Sequence, residues 1–186
     1  MHMLEQRIQQ QFFDSADLKY QTAETLARPI ADAAAAMVGA ITGGGKVMVA
    51  GCGSAATLAA HLAAAFVGRF ERERPPLPAV ALGIEPSVDK QLQALGHPGD
   101  VLLLLDAGDG GAGATKAAIA AAHGKEMTVV LLAGQNGLPA AGPLAETDVT
   151  IVVPHERAVR VLELQLLVLH CLCDAVDLQL MGEQDP

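Results

Sequence analysis

Positive charge is scarce in this chain: 12 Lys and Arg stand against 21 Asp and Glu, a formal net charge of −9. That argues against direct contact with a nucleic-acid backbone, because such binders concentrate basic side chains. Cysteine is scarce too. Cys52, Cys171 and Cys173 form an odd set, two of them one residue apart in a helical pattern, so no disulfide framework is expected. A reducing, cytoplasmic setting fits that usage. The opening MHMLEQRIQQQ has no apolar signal core, which argues against secretion. Internal repeats, heptad seams, low-complexity tails and blocks of like charge are all missing. One charge-free run, residues 47–68, is long enough to span a bilayer. GCGS interrupts it, its Ala and Gly contribute little transfer free energy, and Ser54, Thr57 and His61 lower that further. It reads as a buried strand followed by a buried helix.

What is present is enough for one α/β domain over residues 1–186, with 51% hydrophobic residues. Leu4, Ile8, Phe12, Leu18 and Leu26 predict an amphipathic helix over 3–26. Pro29 predicts the first turn of a second helix, ended near residue 42 by the glycines 43–45. KVMVAG, PAVAL, DVLLLL, MTVVLLA and DVTIVV read as five apolar strands. Helical patterns follow the first of them and lie at 113–123 and 157–181, with a turn-rich loop over 133–147. Continuous apolar strands separated by helices predict a parallel sheet covered on both faces, in a doubly wound, flavodoxin-like order. The segment between the second and third strands has room for about two helical turns.

The glycine turn Gly51-Cys52-Gly53-Ser54 between the first strand and its helix is the first candidate site. Backbone N–H groups at such a turn, with the helix dipole, favour an anion, and hydroxyls add donors. The loop after the third strand, DAGDGGAGA, has neither a Walker lysine nor G-x-G-x-x-G spacing, so a nucleotide is not expected. Cys52 lies at a helix N-terminus, where a thiolate is favoured. No base is identifiable beside it, and the alternative is a small side chain filling a tight turn.

GRFERERPPLPAVAL, ALGHPGDVLLLL and VPHERAVRVLELQLLVLHCLCDAVD resemble the sugar isomerase (SIS) domain of the phosphoheptose isomerase group. The resemblance extends to the branch that associates with the replication initiator DnaA, the DiaA group. It implies a homotetramer on a five-stranded parallel sheet. Residues 1–42 would form a helical oligomerisation segment, residues 46–181 the α/β core, and ligand clefts would lie between subunits. The isomerases of the group convert sedoheptulose 7-phosphate, whereas DiaA-like members bind the initiator.

By that resemblance, Ala55 falls on a phosphate-contacting serine, and Ser54 beside it would either substitute or cap the helix. Asp106, Ala107 and Gly111 fall near positions where hydroxyls are expected. A carboxylate at Asp106 would repel a phosphate dianion, and Asp109 reads as a helix cap. The implied ligand set is therefore Gly51, Cys52, Gly53, Ser54, Asp106 and Gly111. The group's zinc site uses His and Glu four apart on one helix, and Gln and His eight apart on the last. Here His61 and His170 remain, while Ala65 and Leu162 replace the other two. Two imidazoles do not make a zinc site, so neither a metal nor a cofactor is expected. The histidines would be hydrogen-bonded core residues or a polar pair facing one another across the cleft. Arg160 and Glu163 match an R-x-x-E pattern read as a subunit-interface ion pair. Leu180 and Met181 would be partner-docking contacts or helix-end packing.

Taken together, the missing cleft chemistry favours a non-catalytic, initiator-binding scaffold. The alternatives are a phosphoheptose isomerase with an altered site, and a sensor for an unphosphorylated or cationic sugar derivative near Asp106.

Overall fold

A computed structural model describes residues 2–85 and 87–183. Helix α1 runs His2–Thr42, followed by strand β1 (Val47–Cys52), a 3₁₀ turn (Gly53–Ala55) and helix α2 (Ala56–Val67). Then come β2 (Ala79–Ala81), α3 (Val88–Leu95), β3 (Val101–Asp106), α4 (Ala112–His123), β4 (Thr128–Gly134), β5 (Val149–Val153) and α5 (Ala158–Met181). A second 3₁₀ turn, Leu138–Ala140, lies inside the loop between β4 and β5.

All strand pairs are parallel, in the order β2-β1-β3-β4-β5. The doubly wound expectation therefore holds. Strand period explains why both faces are covered: alternate residues point to opposite sides. Val47, Val49, Leu103, Leu105, Val130 and Leu132 pack beneath α1, α2 and α5. Met48, Ala50, Leu102, Leu104, Val129 and Leu131 pack beneath α3 and α4. With both sets buried, the strands read as unbroken apolar runs.

The expected break at Pro29 is absent; α1 passes through it as one helix. Proline lacks the N–H that would bond four residues back, and costs about 3 kcal/mol in a helix interior. Packing outweighs that cost. Leu18, Thr22 and Leu26 on one side of Pro29 and Ala33, Ala34 and Met37 on the other are buried in the same body. At the far end, Gly44 takes φ +85° and Gly45 N–H donates to Ala40 O at 2.8 Å, so the glycines close the helix as expected.

The connection from β2 to β3 carries the two-turn helix α3, held by Gln91, whose side chain bonds both the N–H and the carbonyl of Gly83. Among the described residues no helix is long and apolar enough to cross a membrane. Both Cys171 and Cys173 read from sequence as buried small hydrophobes; Cys173 is buried, but Cys171 is exposed. Burial and the nearby Asp177 push the Cys173 thiol up to about 12.

Candidate functional site

The chain leaves β1 to cover one face of the sheet through α2, and leaves β3 to cover the other through α4. The loops part between these neighbouring strands, and the crevice outside their carboxyl ends is where α/β sheets bind ligands. A cavity of about 260 Å³ lies there, lined by Gly51, Cys52, Gly53, Ser87, Asp89 and Gly110 among others. The turn is packed too tightly for side chains. A Cβ on Gly51 would lie 2.5 Å from Ala56 Cα, and one on Gly110 would lie 2.5 Å from Cys52 Cβ.

The charges at this crevice differ from expectation. Asp106 is 2% exposed and does not line the cavity. One carboxylate oxygen accepts from Gly108 N–H at 2.8 Å and the other from the Thr115 hydroxyl at 2.6 Å. It shapes the loop beneath the crevice instead of facing a ligand. Asp109 is the carboxylate that reaches the glycine turn, where its Oδ1 accepts from Ser54 N–H at 3.2 Å. It caps the turn leading into α2, across the crevice, and not the helix that follows it in sequence. Ser54 itself is no side-chain cap, and its buried hydroxyl oxygen has no hydrogen-bond partner among the described residues. Gly111, with φ +81°, supplies the backbone turn into α4 but is not on the cavity wall.

The surroundings of Cys52 work against a thiolate. Burial pushes its thiol up, the Asp106 charge adds to that, and Thr115, with Oγ1 at 3.4 Å, offsets part of it. The side chain is small and buried and fills the turn.

His61 and His170 are brought together from α2 and α5. Their Nε2 atoms are 2.9 Å apart, with ring centroids at 5.1 Å. One Nε2 must carry the proton that the other accepts. They are not core residues: His61 is exposed, and His170 is half-buried with the Phe70 ring 5.4 Å away. Arg74 fixes the two helices beside them. Its guanidinium donates to the carbonyls of Ala65 and Phe66 at 2.8 Å and to Asp177 Oδ1 at 2.6 Å, with both charged side chains buried. Neither this clamp nor the Asp109 contact was anticipated from sequence. Asp177, on the buried stripe of α5 one turn past Cys173, was the available signal for the clamp.

The histidines do not fit a zinc ion as they stand. Ala65 and Leu162 supply no donor, and no group of three or more His, Cys, Asp or Glu suited to a metal occurs among the described residues. Arg160 bonds within its own chain, with Glu163 Oε1 at 2.5 Å and the main-chain oxygen of Gln11 at 3.1 Å, tying α5 to α1. Glu163 Oε2 is left without a partner among the described residues. Leu180 packs against the core at the end of α5 and Met181 is half-buried, an arrangement that suits helix-end packing.

A family model described as "SIS domain" matches residues 11–134. A phosphoheptose isomerase of Methylibium petroleiphilum is 54% identical over 199 residues, covering 100% of this chain and 99% of that protein. The structure of a phosphoheptose isomerase from Francisella tularensis superposes with TM-score 0.85 at 35% identity, covering 95% of this chain and 99% of that one. Phosphoheptose isomerase GmhA from Neisseria gonorrhoeae gives TM-score 0.83 at 32% identity, covering 94% and 98%. These relatives overturn the non-catalytic, initiator-binding reading. That reading counted side chains missing from a family pattern, and it placed a repelling carboxylate at Asp106, where the structure instead buries a satisfied one. Fold, full-length similarity and family model agree that this chain belongs to the SIS-domain family, among relatives named phosphoheptose isomerases.

Proposed function

We propose that the protein is a phosphosugar isomerase of the phosphoheptose isomerase type, acting on sedoheptulose 7-phosphate through the His61–His170 pair. The observation that carries this reading is the 2.9 Å contact between the two Nε2 atoms. Moving a proton between adjacent sugar carbons needs one group that accepts it and one that donates to the carbonyl oxygen. In a pair sharing one proton, one Nε2 is the acceptor and its partner carries N–H. A substrate inserted between the rings would exchange their mutual bond for two bonds to sugar. The basic imidazole takes the proton from the carbon beside the carbonyl, and the C–H electrons form an enediolate. The other imidazole relays the proton of the adjacent hydroxyl to the developing oxyanion, and the first imidazole returns its proton to the former carbonyl carbon, so that the adjacent oxygen becomes the new carbonyl. No carboxylate stands at residue 65, so His61 and His170 share the whole task.

Helix geometry supports a phosphate-to-carbonyl span. His61 lies in α2, seven residues after Ser54 of the 3₁₀ turn that leads into it, a separation of roughly 10 Å at a helical rise. That suits an extended heptose phosphate with its phosphate at the glycine turn and its reacting carbons at the histidines. The test is conversion of sedoheptulose 7-phosphate by the purified protein. His170→Ala and His61→Ala should each lower kcat about 10²–10⁴-fold with melting temperature retained. Wild-type turnover that both variants keep would sink the acid–base assignment, and absence of turnover in the wild type would sink the reading.

The same reading includes assembly as a homotetramer. Met3, Leu4, Ile8, Phe12, Phe13 and Tyr20 of α1 are exposed on the single chain, an apolar surface left facing solvent. A second copy would cover it and wall the open side of the histidines. Light scattering should give about four times the 19.1 kDa chain mass; a monomeric value would refute the assembly.

A further inference from the structure

We propose that Asp109 is an internal stand-in for the substrate's phosphate group, so that a phosphorylated ligand must displace it. Its carboxylate lies on the turn after β1, where it accepts the Ser54 N–H. Two glycines let it arrive. Gly53 takes φ +57° and a Cβ there would collide with Asp109 Oδ1, while Gly110 lies against Cys52. No Lys or Arg pairs with Asp109 among the described residues, so its charge is not neutralised where it sits. The contact is long for a charge-assisted bond, 3.2 Å where 2.7–2.9 Å is usual, and the side chain is exposed. Beside it the Ser54 hydroxyl, buried and without a partner among the described residues, is a donor held in reserve. Gly108 at φ +93° and Gly111 at φ +81° bracket the residue in conformations that glycine adopts without strain. Asp109 thereby sets the preference of the pocket: it weakens binding of any free anion and admits one whose sugar makes enough contacts elsewhere to evict it.

This inference rests on reading the crevice as the substrate site, but it is measured by binding and not by turnover. The probe is inorganic phosphate, titrated calorimetrically into the full chain, with the Ser54 amide followed by NMR. Asp109→Asn and Asp109→Ala should each bind phosphate on the order of tenfold or more tighter than wild type, as expected for removing a like charge within hydrogen-bonding distance. The Ser54 amide should shift on titration in the variants at concentrations that leave the wild type unmoved. Asp32→Asn, which removes a charge paired with Arg28 on α1, should change nothing. Unchanged or weaker phosphate binding in both Asp109 variants overturns the proposal, as does an equal gain in Asp32→Asn. If no variant turns over sugar phosphate yet the affinity gain holds, the isomerase reading fails and this one stands. If wild-type turnover is found while phosphate affinity ignores residue 109, the reverse follows.

Discussion

Strand β3 is flanked by two aspartates that look alike in sequence and in burial, and they do opposite work. Asp100 precedes the strand and Asp106 ends it, and each is 2% exposed. Asp100 accepts from the Lys46 ammonium at 2.5 Å, from Lys46 N–H at 2.9 Å and from His97 N–H at 2.9 Å. Its charge is cancelled by a cation. Asp106 has only Gly108 N–H and the Thr115 hydroxyl, with no cation in contact. A cleft of about 680 Å³, lined by Lys46, His97 and Asp100 among others, opens at the amino end, but its buried carboxylate is fully engaged. The smaller cavity lies at the carboxyl end, beside the unpartnered Ser54 hydroxyl and the unneutralised Asp109. Size therefore does not mark the site. The amino end is saturated and structural, whereas the carboxyl end keeps polar capacity unspent, and a ligand needs that capacity.

The contrast can be broken at either end. The largest effect belongs to the histidines of α2 and α5, where His170→Ala should cost about 10²–10⁴ in kcat and little in stability. At the amino end the expectation reverses. Asp100→Ala strands a largely buried ammonium and should cost about 2–4 kcal/mol, with Lys46 a quarter exposed and so partly rehydrated. That lowers Tm by roughly 4–16 °C, read by calorimetry, and leaves kcat unchanged. A fall in kcat with unchanged Tm would erase the distinction between the ends.

The smallest effect is on pH dependence. Burial alone would raise the Asp100 carboxyl, but the bonds from the Lys46 ammonium and from the Lys46 and His97 amides outweigh it and hold the group below the usual carboxylate value. A depressed folded value means a contribution fully present above the ordinary Asp value of about 3.9, lost as pH falls through the folded one. Denaturant midpoints of the wild type should fall in that acid window, and Asp100→Asn should flatten the fall. An unaltered acid limb in the variant would show that other carboxylates govern it.

Much of this was legible in advance. Unbroken apolar strands such as VLLLL can be buried on both faces only in a parallel, helix-covered sheet, and the short segment before β3 admitted only a two-turn helix. The glycine turn marked the crevice for the same reason, since side chains do not fit there. The errors came where distant segments compete. Pro29 is a helix breaker locally, yet α1 continues because both of its halves bury residues in one core. Asp106 reads from sequence as facing the ligand and Asp109 as a helix cap, and nothing local says which carboxylate crosses to the other loop. The histidines, 109 residues apart, could be read as core or as a pair. Counting absent family ligands then led to a non-catalytic reading that the relatives contradict.

The strands, their coverage on both faces and the glycine turn that marks the crevice were determined by the sequence itself, because they follow from short-range periodicity and from where side chains are missing. Which carboxylate is buried and which lies on the glycine turn, and that two imidazoles meet, were decided only by the tertiary structure. Hydrogen bonds and charge interactions act over a few ångströms in space, and only the packed chain sets which groups come that close.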